Sequence, residues 1–379
     1  MAYFNNAATT FPKPECVYKA IANFCEQYAG SSGRGGGDQS VGKLLADTRE
    51  LLKELFHTSC HEVILAPTAT LALNMIIQGL VADGKRNIYI TPFEHNAVTR
   101  VLYALGEKYK LNVREMKVLS DFTYDLERIG YQFADNKPDL VIISHASNVF
   151  GLVAPVDEIF AMAKQHQAVT VLDMSQTAGL IDIDLGKMLA DFAVFAGHKT
   201  LYGPTGISGF FLNPAINLQP VLYGGTGIDS ANQSMPENLP ARYEMGTMNI
   251  WGIAGLNAAL KWIKETGIGN IRIREQENRQ KLLKILGKFN FIKLVGINPQ
   301  CEYVGVVSVL IDGISSDSAA PLLERLGVDV RTGLQCAPYA HKFLGTYPAG
   351  TVRLSVGYFN TDEEFEKLQD VLEYIEENI

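Results

Sequence analysis

The segment that decides the fold reads Asp191-Phe-Ala-Val-Phe-Ala-Gly-His-Lys199-Thr-Leu-Tyr-Gly-Pro-Thr-Gly206. Its apolar first half predicts a short buried strand, and the glycines and the proline that follow predict a turn. Lys199 comes directly after the strand, where a covered sheet rarely carries a lysine that has no function. An exposed lysine that happens to follow a strand explains this segment equally well, so both interpretations stay open at this point.

Five more apolar runs of this kind occur along the chain, and helical patterns separate several of them. We predict six strands, over residues 63–66, 87–91, 140–144, 169–173, 192–196 and 206–212. The helical patterns cover residues 70–80, 96–109 and 156–165. Nearly continuous apolar strands that alternate with helices predict an α/β fold with a large, mainly parallel sheet covered by helices. Because ligands bind at the carboxyl ends of such strands, the polar residues there are candidates for a site.

The pattern changes after about residue 247. We predict helices over residues 250–266, 269–289, 317–326 and 361–379, and strands over 304–311 and 351–356. These elements indicate a smaller α+β domain, in keeping with a chain of 379 residues, which exceeds what one core usually organises. The predicted parts are an N-terminal arm that packs with the small domain, a large α/β domain and the small C-terminal domain, over residues 1–15, 16–260 and 261–379.

The composition is ordinary for a globular protein, with 47% hydrophobic and 20% charged residues. A net charge of −8 argues against nucleic acid or an anionic membrane surface as the main partner. No apolar run approaches the roughly 20 residues of a membrane helix, and the first residues do not resemble a signal peptide. Five scattered cysteines without CxxC spacing indicate reduced thiols in a cytoplasm. We expect no metal site, because His57-Thr-Ser-Cys60-His61 is too closely spaced for structural zinc.

A carboxylate and a helix start give the lysine a chemical context. Asp173 ends the predicted strand immediately before the one that leads to Lys199. A buried carboxylate there can keep a pyridine nitrogen protonated, which pyridoxal 5′-phosphate (PLP) needs in order to act as an electron sink. In Leu65-Ala-Pro-Thr-Ala-Thr-Leu-Ala-Leu-Asn74 a strand leads into a helix whose first N–H groups can bind a phosphate. The alternatives are an Asp that caps a turn and a threonine, Thr68 or Thr70, that caps the helix.

Two further strand ends are polar. His95 follows one of them and can stack on a flat aromatic cofactor, and His145 and Asn148 follow another. A lone histidine at a strand end is more often a structural residue. Neither GxGxxG nor GxxxxGK[ST] occurs in the chain, so a nucleotide-binding loop is not indicated.

Cys336 lies in a loop flanked by glycine and proline, near Arg331, His341 and Arg353 in the sequence. Neighbouring cationic groups favour the thiolate, which is the nucleophilic form of cysteine. The segment therefore allows a nucleophile at this position. An inert, partly buried thiol is the alternative.

Together these segments resemble the class V aminotransferase-like group of PLP enzymes, and most closely the cysteine desulfurases and selenocysteine lyases. The resemblance extends from Phe4-Asn-Asn-Ala-Ala-Thr-Thr10 to Gly350-Thr-Val-Arg-Leu-Ser355 and Tyr358-Phe-Asn-Thr-Asp-Glu-Glu364. It implies the type I fold of PLP-dependent transferases. It also implies a cysteine desulfurase that converts L-cysteine to L-alanine and leaves a persulfide on Cys336. Selenocysteine lyase, or another class V aminotransferase or lyase in which Cys336 is incidental, is the alternative.

The resemblance assigns five residues to the cofactor ring. Lys199 would form the internal Schiff base and later move the Cα proton. Asp173 would pair with the pyridine nitrogen. Gln176 and Asn148 would donate to the phenolic oxygen, and His95 would stack on the ring as a catalytic residue.

It assigns four residues to the phosphate. Ala69 and Thr70 would supply contacts at the helix start, helped by His198. Thr247 would reach the phosphate of a neighbouring subunit, which implies a homodimer whose active sites are completed across the interface.

It assigns the substrate to a further set of residues. Arg353 would bind the carboxylate in a bidentate manner, with Asn6 and Arg34 as further substrate-binding residues. Cys336 would attack the sulfur or selenium atom, and an acceptor protein for that atom is a possible partner.

The sequence departs from the usual pattern of these enzymes in three places. Ala196 stands where a Ser or Thr often helps to hold the phosphate. Gly37 stands where many relatives carry a His near the substrate. Leu334 and Gln335 precede Cys336 where desulfurases of the short-loop type often carry His. The last two departures concern the preferred substrate and not the cofactor.

Overall fold

The computed structural model describes residues 1–27, 39–228 and 231–378. Within this part the strands, in chain order, are β1 (Ala2–Tyr3), β2 (Glu62–Ala66), β3 (Asn87–Ile90), β4 (Asn112–Glu115), β5 (Leu140–Ser144), β6 (Val169–Asp173), β7 (Phe192–Ala196), β8 (Ser208–Leu212), β9 (Ile292–Val295), β10 (Val306–Ile311), β11 (Val328–Asp329), β12 (Arg331–Gly333) and β13 (Thr351–Ser355). The helices are α1 (Glu15–Gln27), α2 (Gln39–Leu55), α3 (Ala69–Ala82), α4 (Asn96–Tyr109), α5 (Leu126–Asp135), α6 (Val156–Gln165), α7 (Ile250–Thr266), α8 (Ile268–Leu286), α9 (Ser316–Arg325), α10 (Pro338–Phe343) and α11 (Asp362–Asn378).

The largest sheet has seven strands in the order β2-β8-β7-β6-β5-β3-β4. All its neighbours run parallel except β8, which is antiparallel to both β2 and β7. Ser144 pairs with Asp173, while Ala66 and Ala196 both pair with Ser208. The carboxyl ends of β2, β7, β6 and β5 therefore lie along one edge of the sheet. The predicted α/β class and its mainly parallel sheet are confirmed.

The inner strands β5, β6 and β7 are mostly apolar and buried along their whole length, because both faces of the sheet are covered there. Side chains alternate between the faces of a strand, so in β5 Val141 and Ile143 belong to one core, and Leu140 and Ile142 to another. Helices α2 and α5 to α7 contribute to the first core, and α3 and α4 to the second. This double coverage explains why the runs lack the polar alternation of half-exposed strands.

A second sheet of four strands, in the order β12-β13-β10-β9, is built from the C-terminal part of the chain. Its apolar face packs with α8, α9 and α11 around a separate core. The N-terminal segment joins this unit, because β1 pairs with β11 and Phe4 is buried in the same core. The division into domains at residues 15 and 260 stays a prediction.

Several element boundaries differ from the predicted ones. Strand β8 begins at Ser208 and not at 206, because Gly206 adopts a φ of 78° that ends the preceding turn. Helix α3 begins one residue earlier than predicted, at Ala69, since Thr68 is its N-cap. Within the described ranges, none of the helices combines the length and the apolar character needed to cross a bilayer.

Candidate active site

A cavity of about 380 Å³ lies at the carboxyl edge of the seven-stranded sheet. Ten of the thirteen predicted site residues line it. These are Ala69, Thr70, His95, Asn148, Asp173, Gln176, His198, Lys199, Cys336 and Arg353. Eight of them lie at or after five strand ends, Cys336 lies in the loop after β12 and Arg353 lies in β13, so the fold brings together residues more than 280 positions apart.

Lys199 lies in a tight turn after β7. Its N–H donates to O of Ala196 at 3.3 Å, and its own O accepts from the N–H of Tyr202 at 2.8 Å and from Oγ1 of Thr10 at 2.9 Å. The backbone of the lysine is therefore fixed from both sides. Burial lowers the pKa of Lys199 to about 8, against the opposing effect of the nearby Asp173 carboxylate. A lowered pKa increases the neutral fraction of the amine, which is the nucleophilic form.

Asp173 ends β6 with its carboxylate oriented by the next turn. Oδ1 accepts from the N–H and from Oγ of Ser175, at 3.0 and 2.5 Å. Among residues 1–27, 39–228 and 231–378 no donor bonds Oδ2, although the residue is buried and lines the cavity. A buried carboxylate with one free oxygen is suited to a cationic N–H group.

The first turn of α3 forms another wall of the cavity. Thr68 caps the helix, because its Oγ1 accepts from the N–H of Leu71 at 3.1 Å. The N–H groups of Ala69 and Thr70 precede the first intrahelical bond, so they are free to bind an anion. Nδ1 of His198 is buried and has no partner among the described residues. Ala69, Thr70 and His198 all line the cavity, and their N–H groups fit a phosphate.

His95 is the N-cap of α4 and holds its ring at the cavity. Nδ1 accepts from the N–H of Ala97 at 3.0 Å, so the proton of the neutral ring is on Nε2. Burial, helped by the charge on Lys199, lowers the pKa of His95 to about 4. A neutral ring in a fixed orientation is suited to stack on a flat heterocycle.

Two amide side chains face the same space. Nδ2 of Asn148 donates to O of Gln335 at 2.7 Å, and Nε2 of Gln176 donates to O of Ala7 at 3.1 Å. An amide nitrogen has two N–H groups. Each residue therefore keeps one donor beyond the bond that orients it.

Arg353 and Cys336 face the cavity from the C-terminal part of the chain. Nη1 of Arg353 donates to O of Asn148 at 2.9 Å and Nη2 to Oδ1 of Asn5 at 3.2 Å. Nε is buried without a partner in the described structure. Burial lowers the pKa of Arg353 to about 10, and Cys336 lies near enough to counteract this electrostatically. Cys336 itself is exposed at the mouth of the cavity.

Among the described residues, two predicted site residues, Asn6 and Thr247, do not line this cavity. Asn6 uses its amide to donate to O of Ser355 and Oδ1 of Asn360, at 3.1 and 3.2 Å, so its substrate-binding role stays a prediction. Its neighbour Asn5 is the one that contacts Arg353. Thr247 is exposed and does not reach the cavity of its own chain. Arg34, like Gly37, lies outside the described residues.

The structure adds residues that the sequence interpretation did not assign to the site. Ser175 orients Asp173, and the Asp-x-Ser spacing of a side-chain turn was an available signal. Arg331 lines the cavity directly opposite Arg353 in the pairing of β12 with β13. Gln335 also lines it, although in the sequence it was only a departure from a pattern.

Comparison with known proteins defines the class that this fold and site represent. Residues 2–368 match the family model for Aminotransferase class-V, so the chain belongs to this enzyme family. A relative from Methanothermobacter thermautotrophicus, named a probable cysteine desulfurase, is 30% identical over 378 residues, which are 98% of this chain and 94% of that one. A cysteine desulfurase from Haloferax volcanii is 29% identical over 98% of this chain and 89% of its own. The solved apo structure of a cysteine desulfurase from Thermococcus onnurineus NA1 matches with a TM-score of 0.91 and 28% identity, over 100% of this chain and 95% of that one.

Proposed function

We propose that the protein is a PLP-dependent cysteine desulfurase that converts L-cysteine to L-alanine and takes up the sulfur on Cys336. One observation carries the proposal. A single cavity contains an amine of lowered pKa, a buried carboxylate with a free oxygen, a helix N-terminus and an exposed cysteine. The first three fit the cofactor, and the cysteine distinguishes sulfur transfer from ordinary transamination.

The residues present fit PLP group by group. The N–H groups of Ala69 and Thr70 and the unpartnered Nδ1 of His198 would hold the phosphate. Oδ2 of Asp173 would accept from the pyridine nitrogen, and the Lys199 amine would hold the cofactor covalently. When bound, PLP would supply an electron sink for the α-carbon of the substrate.

The side chains around the ring have complementary tasks. The free N–H groups of Asn148 and Gln176 would donate to the phenolic oxygen, while the neutral ring of His95 would cover one face. Lys199 would hold or release a proton close to the α-carbon, since a pKa of about 8 lets its amine do both near neutral pH. Asp173 stays oriented by Ser175 throughout.

Arg353 and Cys336 would act on the substrate itself. Nε of Arg353 has no acceptor in the described structure, so a substrate carboxylate would satisfy a buried donor. The thiolate of Cys336 would attack the substrate sulfur, forming an S–S bond as the C–S bond breaks. The electron pair of the broken bond stays on carbon, and protonation of that carbon gives alanine.

The partners and location are further parts of the proposal. A homodimer is supported by exposed apolar side chains close to Thr247 in the sequence, Tyr223, Ile228 and Trp251. Light scattering should give twice the mass of one chain. A protein that accepts the sulfur from Cys336 is supported by the exposure of that residue. A cytoplasmic location is supported by the absence of disulfides among the five cysteines, all of which are free.

Two variants test the proposal together. Lys199→Ala should abolish the visible absorption of bound PLP, because no other lysine lines the cavity within the described residues. Cys336→Ser should keep that absorption and lose alanine formation from L-cysteine. Unchanged alanine formation by Cys336→Ser would rule out sulfur transfer to Cys336. An assay of the same variant on L-selenocysteine would then decide for the selenocysteine lyase alternative.

A further inference from the structure

The turn that carries Cys336 has an unfavourable backbone. Gln335 and Cys336 have φ values of 40° and 60°, so two consecutive residues with side chains lie in the left-handed region. The N–H of Ala337 closes the turn by donating to O of Leu334 at 2.8 Å. Such a conformation persists only where the surroundings hold it. The residues that hold this turn therefore determine where Sγ of Cys336 points.

The side chain of Gln335 anchors the turn to the small sheet and to α10. Its Nε2 donates to O of Thr351, the first residue of β13, at 2.9 Å. Its Oε1 accepts from Nε2 of His341 at 2.8 Å. Gln335 is 5% exposed and His341 is fully buried, so water does not compete for these bonds.

His341 is held as a neutral donor. The amide orientation of Gln335 follows from its bond to a carbonyl, so the atom that faces His341 is an oxygen and can only accept. Nε2 of His341 must then carry the proton, and Nδ1 accepts from Oγ1 of Thr346 at 2.8 Å. Burial lowers the pKa of His341 to about 4, which keeps this tautomer uncharged.

Further hydrogen bonds connect Thr351 to the rest of the small sheet and to the loop after β5. Oγ1 of Thr351 and Oγ of Ser308 lie 2.8 Å apart, and Oγ of Ser308 donates to O of Val149 at 2.7 Å. Thr351 and Ser308 are both fully buried. We call Gln335, His341, Thr351 and Ser308 the loop clamp.

Two bonds from residues beyond the carboxyl ends of β3 and β5 hold the turn on its other side. Nδ2 of Asn148 donates to O of Gln335, and the N–H of Asn96 donates to O of Cys336, both at 2.7 Å. Asn96 is the first residue of α4 and follows His95. The turn is thus tied to residues that border the cofactor space and, through the loop clamp, to the small sheet.

We propose that Gln335 and His341 are positioning residues, which hold Cys336 so that its sulfur faces the substrate bound in the cavity. This proposal rests on the proposed function, because it takes Cys336 as the sulfur acceptor. His341 does not line the cavity and acts only through Gln335. The departure from His at position 335 is then compensated by a histidine six residues later.

The test compares His341→Leu, which removes the donor, with His341→Gln, whose amide can place an N–H near the position of Nε2. His61→Leu is the matched control, because His61 is also buried and also bonds a threonine hydroxyl and one further oxygen. It precedes β2, at the end of that strand opposite to the cavity. The holoenzymes are assayed for kcat and KM with L-cysteine per bound PLP, and hydrogen exchange is measured over residues 334–337.

His341→Leu should lower kcat roughly 10- to 100-fold with little change in KM or in PLP absorption, and should accelerate exchange in the turn. His341→Gln should keep most of the wild-type kcat and most of the wild-type protection of the turn from exchange. Unchanged kcat in His341→Leu, or an equal loss in His61→Leu, would overturn the positioning role. If instead the wild type forms no alanine, or Cys336→Ser retains turnover, the proposed function fails, while the exchange rates still decide whether the loop clamp holds the turn.

Discussion

The lowered pKa of Lys199 can be measured directly on the apoprotein. Burial lowers it from 10.5 to about 8, and the Asp173 carboxylate limits the fall. At pH 7 an amine with a pKa of about 8 is neutral in about one molecule in ten, against about three in ten thousand for a pKa of 10.5. The structure therefore predicts a roughly 300-fold larger neutral fraction at this lysine than at an ordinary one.

Reductive methylation with formaldehyde, followed by mass spectrometry of the Lys199 peptide at several pH values, gives the titration midpoint. Lys187 is the internal control, because it is exposed and its bond to Asp184 raises its pKa above the usual 10.5. We expect a midpoint near pH 8 for Lys199 and above 10.5 for Lys187. A Lys199 midpoint at or above that of Lys187 would refute the reasoning.

Asp173→Asn supplies the second arm of this test. The carboxylate stabilises the ammonium form of Lys199, so its removal must lower the midpoint further. The amide is similar in size and can still accept from Ser175 through Oδ1, which separates the loss of charge from a loss of packing. A midpoint that rises in this variant would show that Asp173 does not act on the lysine through its charge.

Three further changes test other parts of the site. Arg353→Lys should raise KM for L-cysteine about tenfold or more in steady-state kinetics, because an ammonium lacks the Nε donor and the planar fork. Gly197→Ala should lower the free energy of unfolding by about 1–3 kcal/mol in urea titrations, since a Cβ there would lie 2.4 Å from O of Ile207, directly before the Lys199 turn. Burial raises the pKa of Glu94 from 4.5 to about 7, so this side chain binds a proton more tightly in the folded protein than in the unfolded chain. The free energy of unfolding should therefore fall as the pH rises from about 4.5 to 7. Glu94→Gln should flatten that part of the stability profile in urea titrations at several pH values.

The strands that position the site could be predicted from the sequence because they are buried on both faces. Continuous apolar runs such as 140–144, 169–173 and 192–196 match β5, β6 and β7 at both ends. Their exits carry Asp173 and Lys199, which are costly at such positions unless they have partners. Burial and charge together therefore predicted two residues on the side of the cavity that we propose for the cofactor.

Two other strands, β4 and β1, could not be predicted from the sequence. β4 has the sequence Asn-Val-Arg-Glu, in which a single apolar residue does not produce a recognisable strand pattern. It exists because β3 offers it a parallel partner. Likewise β1 has two residues and depends on β11, more than 320 positions away. Pairings of this kind have no local signal.

The choice between Asn5 and Asn6 shows the same limit at the level of one residue. Two adjacent asparagines offer the same chemistry, and only the tertiary path of the arm turns Asn5 towards Arg353 and Asn6 towards Ser355 and Asn360. The role of Gln335 was hidden for the same reason. Its side-chain partners His341 and Thr351 are 6 and 16 residues distant, and the donor to its carbonyl, Asn148, is 187 residues away.

Asn148 connects the two halves of the proposed chemistry. Its carbonyl oxygen accepts from Arg353, and one of its amide hydrogens is donated to the carbonyl of Gln335, next to Cys336. The other amide hydrogen is the one that we propose for the phenolic oxygen of the cofactor. A displacement of any of these three neighbours must therefore move a bond to the other two. The proposed sulfur transfer requires the substrate carboxylate, the cofactor ring and the attacking thiol to keep fixed relative positions. In this proposal Asn148 bonds the cofactor and a support of each of the other two. This shared support is a physical reason for the Cys336 turn to be rigid and not a mobile loop.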